Sequence, residues 1–374
     1  MKIETLAVHA ASEPDAASGA VATPISLSTT FRHGPAGERE HGFEYIRGTG
    51  NPVEQRLESA IAALEQGEVA AMFASGMAAA SALFMSLPRG AHALIPRDVY
   101  MGMRILGAEI MAPVGVTVSS VDTTSLDRVR EALTPATKLV WVETPSNPKL
   151  EVSDIAAIAQ LAHARGALVA VDNTFATPLL QQPLVLGADV VMHSATKYFG
   201  GHSDVMGGAL AFARRDELAE RVLHYRHVTG GVLAPFNAWL ILRGLRSMPA
   251  RLAWHCRNAR AVAEFLASRP EVERVNWPGL PGHANHAVAK AQMRDFGGML
   301  SVEMRGGREA ALRLASRLKL FTNATSLGGV ESLVEHRASV EGEHPHSPQS
   351  LLRFSVGLEH PDDLVEDLRQ GLAG

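Results

Sequence analysis

The sequence predicts an α/β fold: a large domain built on a mostly parallel sheet covered on both faces, followed by a smaller C-terminal α/β domain. Two observations carry this. Five short apolar runs, at residues 69–73, 93–96, 138–143, 167–172 and 189–192, recur with loops and helical stretches between them. Strands apolar on both faces need a cover on both faces, and strands alternating with helices make parallel neighbours. The second observation is where the chemically capable residues fall. Ser75, Gly76, Tyr100, Asn147, Asp172, Ser194 and Lys197 all lie just beyond the carboxyl end of a run, the edge at which open α/β sheets bind ligands.

The N-terminal segment, residues 1–48, is rich in Ser, Thr, Pro and Gly and has little periodicity, so it reads as an arm rather than a domain. It carries Tyr45 and Arg47 just before Gly48-Thr-Gly-Asn-Pro52. An arm of this kind is tied down against a neighbour, which predicts an oligomer. From Pro52 the pattern turns helical through Val53, Leu57, Ala60, Ile61 and Leu64. The run at 69–73 then leads through Ala74-Ser-Gly76 into a helix over 77–87. A glycine at such a turn exposes the first helical N–H groups to an anion, while Ser75 can add a hydroxyl or simply cap the helix.

The same rhythm repeats four times. Residues 93–96 lead into Asp98-Val-Tyr100, and 138–143 into Thr144-Pro-Ser-Asn-Pro148 and a helix over 155–165. Residues 167–172 lead into Asn173-Thr-Phe-Ala-Thr-Pro178, and 189–192 into His193-Ser-Ala-Thr-Lys-Tyr-Phe-Gly-Gly-His-Ser-Asp-Val-Met-Gly-Gly208. Asp172 closes its run after four apolar residues and is expected to be largely buried; such a carboxylate is costly unless it meets a cation. Of six lysines, against twenty-nine arginines, only Lys197 is flanked by small hydroxyls, Ser194 and Thr196, and a glycine-rich loop. A lysine in a cleft, its pKa lowered by burial and by neighbouring cations, is a nucleophile able to form a Schiff base.

Beyond the lysine loop, a helix over 235–246 is expected to break near Pro249, with a second over 251–268. Cys256 shares a face with Leu252, Ala259 and Ala263 and reads as a core thiol. Domain boundaries are expected at 1–48 for the arm, 49–246 for the large domain and 247–374 for the C-terminal domain. The last has strands near 272–277, 298–304, 319–325 and 351–358, with helices near 308–318 and 362–372. In the last strand Leu352, Phe354, Val356 and Leu358 share one face, leaving Arg353 and Ser355 on the other. The Arg353 fork suits a carboxylate; the alternative is a surface arginine.

A net charge of −4 argues against nucleic-acid or anionic-membrane partners. No apolar run is long enough to span a bilayer, and no signal-peptide pattern opens the sequence. A single cysteine fits a reducing compartment, so a cytoplasmic protein is expected. The sixteen histidines form no zinc signature. A Schiff-base lysine, an anion-binding helix start, a stacking tyrosine and a buried aspartate call for one common object, and pyridoxal phosphate fits all four.

These motifs resemble, over nearly the whole chain, the Cys/Met-metabolism (transsulfuration) enzymes of the aspartate-aminotransferase-like fold, fold type I of the pyridoxal-phosphate enzymes. Ser18-Gly-Ala-Val, Pro24-Ile and Ser28-Thr-Thr-Phe31 look like the family's N-terminal signature, and Ala74–Met77, Glu143–Pro148, Val171–Pro178 and His193–Gly208 follow in the family's order. Pro235–Leu245, Ser326-Leu-Gly-Gly-Val-Glu-Ser-Leu333 and Leu351–Leu358 complete the set. The resemblance implies that Lys197 is the cofactor lysine and proton shuttle, and that Gly76, Met77, Ser194 and Thr196 hold the phosphate. It implies that Tyr100 stacks on the ring and serves as an acid/base, that Asp172 pairs with the ring nitrogen, and that Asn147 supports the ring hydroxyl. Arg353 and Ser326, with Asn147 and Tyr45, would bind substrate. Tyr45 and Arg47 would reach the phosphate of a neighbouring protomer in a homotetramer, a dimer of dimers.

The implied activity is making or breaking C–S bonds by γ- or β-elimination or replacement, on cystathionine or on activated homoserine with cysteine. Cystathionine γ-lyase or γ-synthase chemistry leads; β-lyase, O-acylhomoserine sulfhydrylase, a same-fold aminotransferase and a non-catalytic regulatory protein are the alternatives. Four departures from the family stand out. Three residues rather than two separate Arg47 from Asn51, and Met101-Gly-Met-Arg104 follows Tyr100 in place of Gly-Gly-Thr. Gly102 stands where methionine γ-lyases carry cysteine. Arg337-Ala-Ser-Val-Glu-Gly342 replaces Pro-Ala-Ser-Met-Thr-His, and Thr325 stands where many γ-lyases and γ-synthases have glutamate.

Overall fold

A computed structural model of the chain describes all residues except His344 and Gly374. Its larger sheet has seven strands: β1 (Val69–Phe73), β2 (His92–Pro96), β3 (Thr117–Val121), β4 (Thr137–Glu143), β5 (Leu168–Asp172), β6 (Val190–His193) and β7 (Gly208–Phe212). They lie in the order β1-β7-β6-β5-β4-β2-β3, and β7 alone runs antiparallel to its neighbours. All five apolar runs are therefore strands, and β2, β4 and β6 are buried almost throughout.

Two strands of this sheet escaped the sequence reading. β3, Thr-Val-Ser-Ser-Val, is a partly exposed edge in which only Val118 and Val121 pack against the core, too few to stand out as an apolar run. β7, Gly-Ala-Leu-Ala-Phe, opens on Gly208, which passes close under the Ala74–Gly76 turn. A Cβ on Gly208 would collide with the Ser75 carbonyl oxygen.

The second sheet has five strands, β8 (Val272–Asn276), β9 (Met299–Met304), β10 (Thr322–Asn323), β11 (Leu333–His336) and β12 (Leu351–Ser355), in the order β10-β11-β12-β9-β8. The expected strand at 319–325 shrinks to two residues. β11 was not foreseen, because four residues that include a glutamate and a histidine carry too little pattern.

The expected helix break at Pro249 does not occur. One helix runs from Pro235 to Ala267, straight through that proline. An interior proline costs about 3 kcal/mol, but Leu245, Met248, Leu252 and Cys256 are all buried in one core that spans it. Arg251 also ties the two halves together, donating from Nη2 to the Gly244 carbonyl at 2.7 Å. The boundary expected at 246/247 thus falls inside a continuous helix. The arm also holds more structure than expected, for Ile3–His9 is helical and buries Ile3 and Ala7 against that same core. Val21, Ile25 and Leu27 further along the arm are exposed. Among the described residues no helix is long and apolar enough to cross a membrane.

Candidate active site

The carboxyl ends of β1, β4, β5 and β6 open into a cavity of about 380 Å³, lined also by residues 325–327, by Arg337 just after β11 and by Arg353 of β12. Lys197 stands at its centre. Its loop is pinned by a reciprocal pair, Thr196 Oγ1 donating to the Gly207 carbonyl at 3.2 Å and accepting from the Gly207 N–H at 3.1 Å. Lys197 Nζ donates to Ser326 Oγ at 2.8 Å. Burial, followed by the Arg353 and Arg337 charges, brings the amine down to about 8, with Glu335 opposing them. Ser326 holds its hydroxyl there from a left-handed backbone, φ +100°, at a cost on the order of 1–3 kcal/mol. Its carbonyl accepts from Arg353 Nη2 at 3.1 Å, so one strained serine joins the lysine to the arginine.

Asp172 ends β5 directly beside Glu143, its partner in register on β4. It is half-buried rather than buried, because its carboxyl faces the cavity. Oδ1 accepts the Thr174 N–H at 3.0 Å, and burial raises its pKa. Among the described residues no protein cation forms an ion pair with it, so the expected cationic partner has to come from a ligand. Glu143 went unnoticed in the sequence, although it clamps two site loops. Its Oε2 accepts the Tyr100 N–H at 2.9 Å and its Oε1 the Asn147 N–H at 2.8 Å. Burial, then Asp172, pushes its pKa well above the carboxylate range.

At the other end of the cavity the helix Gly76–Met85 presents its first turn. Ser75 Oγ caps it by accepting the Ala78 N–H at 3.1 Å, which realises the plainer of the two sequence readings for that serine. A Cβ on Gly76 would lie 2.9 Å from Met192 Cε and 3.1 Å from Ser194 Cβ, so only glycine brings the helix start this close to β6. The Ser194 N–H is held by Thr174 Oγ1 at 2.8 Å, a second residue the sequence did not single out. Tyr100, 42% exposed, stands at the mouth. Gly102 sets its ring position: a Cβ there would lie 2.6 Å from Tyr100 Cε1 and 2.9 Å from Met77 Sδ.

Arg353 is 4% exposed, which rules out a surface arginine. Its Nη1 donates to Asn147 Oδ1 at 3.0 Å and its Nη2 to Glu335 Oε2 at 2.7 Å. Burial lowers it to about 10, with Glu335 opposing, so the guanidinium stays charged at neutral pH. Burial alone would raise Glu335, but Arg353, the Thr325 hydroxyl and Arg337 together hold it below the usual carboxylate range. Tyr45 and Arg47 are not brought to this cavity. Arg47 Nη1 donates to the His227 carbonyl at 2.9 Å, with its guanidinium 5.8 Å from the Tyr45 ring, and Tyr45 is 47% exposed. The additional residue before Asn51 is absorbed by a single helical turn, Ile46–Thr49, closed by Gly50 at φ +78°.

Pyridoxal phosphate fits what is present. An amine with a lowered pKa, a half-buried carboxyl without a protein cation and a helix start beside two hydroxyls face one another across one cavity. The comparisons with known proteins agree. A family model described as Cys/Met metabolism PLP-dependent enzyme matches residues 4–373. A cystathionine γ-synthase of Mycobacterium tuberculosis (strain H37Rv) is 49% identical, over 98% of this chain and 96% of its own length. A cystathionine γ-lyase of Bacillus subtilis is 41% identical, over 100% of this chain and 99% of its own. The crystal structure of metB from Corynebacterium glutamicum superposes with a TM-score of 0.97 at 44% identity, covering 100% of this chain and 98% of that one.

Proposed function

The chain belongs to the Cys/Met-metabolism PLP-dependent enzymes, and from that premise we propose that it joins cysteine to an O-acylhomoserine by γ-replacement, forming cystathionine. The observation that supports this best is the chain Lys197 Nζ–Ser326 Oγ, Ser326 O–Arg353 Nη2, which couples a proton-carrying amine to a carboxylate-binding fork. The 49% identity to a cystathionine γ-synthase favours replacement over elimination. Bound in the cavity, pyridoxal phosphate supplies an aldehyde for amines and a protonated ring that draws electrons from the substrate Cα.

The residues divide the remaining work. Gly76, Met77, Ser194 and Thr196 would hold the phosphate, where a helix start and hydroxyls favour an anion. Asp172 would pair with the ring nitrogen, and that cation would bring its raised pKa back down. Arg353 would take the α-carboxylate with Ser326 and Asn147 around it, orienting Cα toward Lys197. Lys197 Nζ, at about 8, is neutral often enough near neutral pH to accept the Cα proton and carry it onward. Tyr100, held at the mouth through Glu143, would protonate the departing acyl oxygen.

The same reading keeps residues 1–48 as an arm, 49–246 as the cofactor-bearing unit and 247–374 as the C-terminal unit of a cytoplasmic enzyme. Tyr45 and Arg47 would serve a neighbouring protomer in a dimer of dimers, a role supported by their exposure, their distance in sequence from Lys197 and the exposed apolar arm residues. Mixed oligomers of Arg47→Ala and Lys197→Ala protomers should then recover activity that neither has alone. The functional reading itself is tested by incubating the purified protein with cysteine and O-succinyl- or O-acetylhomoserine and identifying the products. Cystathionine is expected from the wild type and none from Lys197→Ala. Release of cysteine, 2-oxobutanoate and ammonia from cystathionine, with no synthesis, would replace the reading by a γ-lyase, and homocysteine, pyruvate and ammonia by a β-lyase.

A further inference from the structure

No residue of the helix Pro235–Ala267 lines the cavity, yet that helix holds two segments that do. Arg251 and His255 lie one turn apart on it and so share a face. Arg251 Nη2 donates to the carbonyl of Tyr198, the residue after Lys197, at 2.9 Å. Its Nε donates to Ser247 Oγ at 3.1 Å. Helix and lysine loop meet backbone to backbone here. A Cβ on Gly244 would collide with the Phe199 carbonyl oxygen, and one on Gly201 with the Arg251 guanidinium.

His255 serves the other segment. Its Nδ1 meets the Val356 carbonyl at 2.6 Å. A carbonyl only accepts, so the ring proton sits on Nδ1, and burial keeps the ring neutral by lowering its pKa to about 4. Trp254 Nε1 donates to the Leu358 carbonyl at 2.9 Å, and Asn258 Nδ2 to the Gly357 carbonyl at 2.9 Å. These carbonyls directly follow β12, the strand of Arg353. The Tyr198 ring meets His255 edge-on with centroids 5.3 Å apart, so the two anchor points adjoin.

Arg251 is a costly residue to bury for packing alone. It is 6% exposed, and burial lowers it only to about 10, so it stays charged at neutral pH. Among the described residues no carboxylate forms an ion pair with it; its bonds go to the Tyr198 and Gly244 carbonyls and the Ser247 hydroxyl. A buried cation without a counter-ion stabilises a fold poorly. What this one does hold is the backbone that carries Lys197.

We propose that Arg251 and His255 are positioning residues. Together they fix the backbone behind Lys197 and the exit of the Arg353 strand to one helical turn, and so set the proton-carrying amine against the carboxylate fork. This rests on the roles given above to Lys197 and Arg353, not on which bond at the γ-carbon is made or broken.

The test uses the holoenzyme and L-alanine, an α-amino acid with no leaving group. Affinity is read by titration against the cofactor absorbance, and proton transfer by exchange of the alanine Cα–H in D2O, followed by proton NMR. Arg251→Met should slow exchange at saturating alanine by about 10-fold, since misplacement by about 1 Å can cost on the order of 100-fold, while affinity stays within about twofold. His255→Leu should instead weaken affinity by about 10-fold, the scale of a lost contact to a charged group, and keep exchange at saturation within about threefold. Arg251→Lys, which keeps a donor, and His255→Asn, whose amide nitrogen takes the place of Nδ1, should each restore part of the loss. Arg353, Arg337 and Glu335, the charges that act on Lys197, are the same in every variant. Residues that only brace the fold would lower the melting temperature and leave both readouts at wild-type values once cofactor is bound. That result overturns the proposal, as does a wild type that exchanges no Cα–H. If either removal fails to fold, Ser247→Ala and Trp254→Phe make milder cuts at the same two anchor points. Exchange for the first and affinity for the second should fall by at least about twofold, and no change in either overturns the proposal. Absence of cystathionine synthesis by the wild type, with these differences intact, would strike the γ-replacement reading and leave this one standing.

Discussion

Arg226 and Glu54 lie buried behind β1 with half-buried Glu58 beside them, while Arg353 and Arg337 lie with Glu335 and Glu341 at the cavity. In the cluster behind β1 one guanidinium serves two carboxylates. Arg226 Nη1 donates to Glu58 Oε1 at 2.6 Å and to the Met72 carbonyl at 2.9 Å, reaching Glu54 Oε1 only at 3.4 Å. Glu54 is 1% exposed, and burial together with Glu58 pushes it to about 8, against the pull of Arg226. Excess negative charge is removed there by taking up a proton. In the cavity cluster two guanidiniums meet two carboxylates, Glu335 at 2.7 Å from both and Glu341 at 3.5 Å from Arg337, and arginine sheds its proton too reluctantly for the same solution. The closed core relieves its charge by protonating a carboxylate, whereas the cavity cluster keeps both its carboxylates ionised beside two arginines.

The largest effect expected from this contrast is on stability. Arg226→Met leaves buried Glu54 and half-buried Glu58 without their cation and should lower the apparent unfolding free energy by up to about 3–5 kcal/mol, the cost of breaking a buried pair. Denaturant melts that show a loss below about 1 kcal/mol would mean that cluster is not structural. Next comes Arg353→Lys, in the cavity. It keeps the charge but loses the planar fork, so the fold and cofactor should be retained while substrate binding weakens by about 1.5–3 kcal/mol. Titration followed by cofactor absorbance measures this, and unchanged affinity would remove Arg353 from the substrate site.

The smallest effect is a dependence on pH. Because the folded-state pKa of Glu54 is raised, its stabilising contribution is complete below the ordinary carboxylate range and is lost as pH climbs toward about 8. The wild-type unfolding free energy should therefore decline between about pH 5 and 8, with a slope of at most ~1.4 kcal/mol per pH unit from this one group. Glu54→Gln should flatten that decline. Parallel curves for the two proteins would assign the decline to other groups.

Much of the site could be read without coordinates because it follows the local grammar of strand, loop and helix. Lys197, Asp172, Gly76 and Tyr100 each sit a few residues past an apolar run, so placing the run places the residue. Glu335, Arg337, Glu143 and Thr174 act through partners elsewhere in the chain, and nothing local announces them. Thr174 holds the Ser194 N–H across two strands, and Glu143 grips loops on either side of it. The helix through Pro249 shows the same limit in reverse, since the local signal for a break was present and a core assembled from distant segments overrode it.

The sequence by itself determined the parallel sheet, the ligand edge and the lysine at its centre, because strand burial and βα alternation are short-range patterns. Only the tertiary structure decided that Arg353 is buried rather than exposed, that it shares Glu335 with Arg337, and that Ser326 links it to Lys197. Arg353 and Glu335 are register partners within the second sheet, while the link from Ser326 to Lys197 needs that sheet to close over the first. The hydrogen bonds from Lys197 to Ser326 and from Arg353 to Asn147 join residues more than a hundred positions apart in the chain, and no local pattern encodes such contacts.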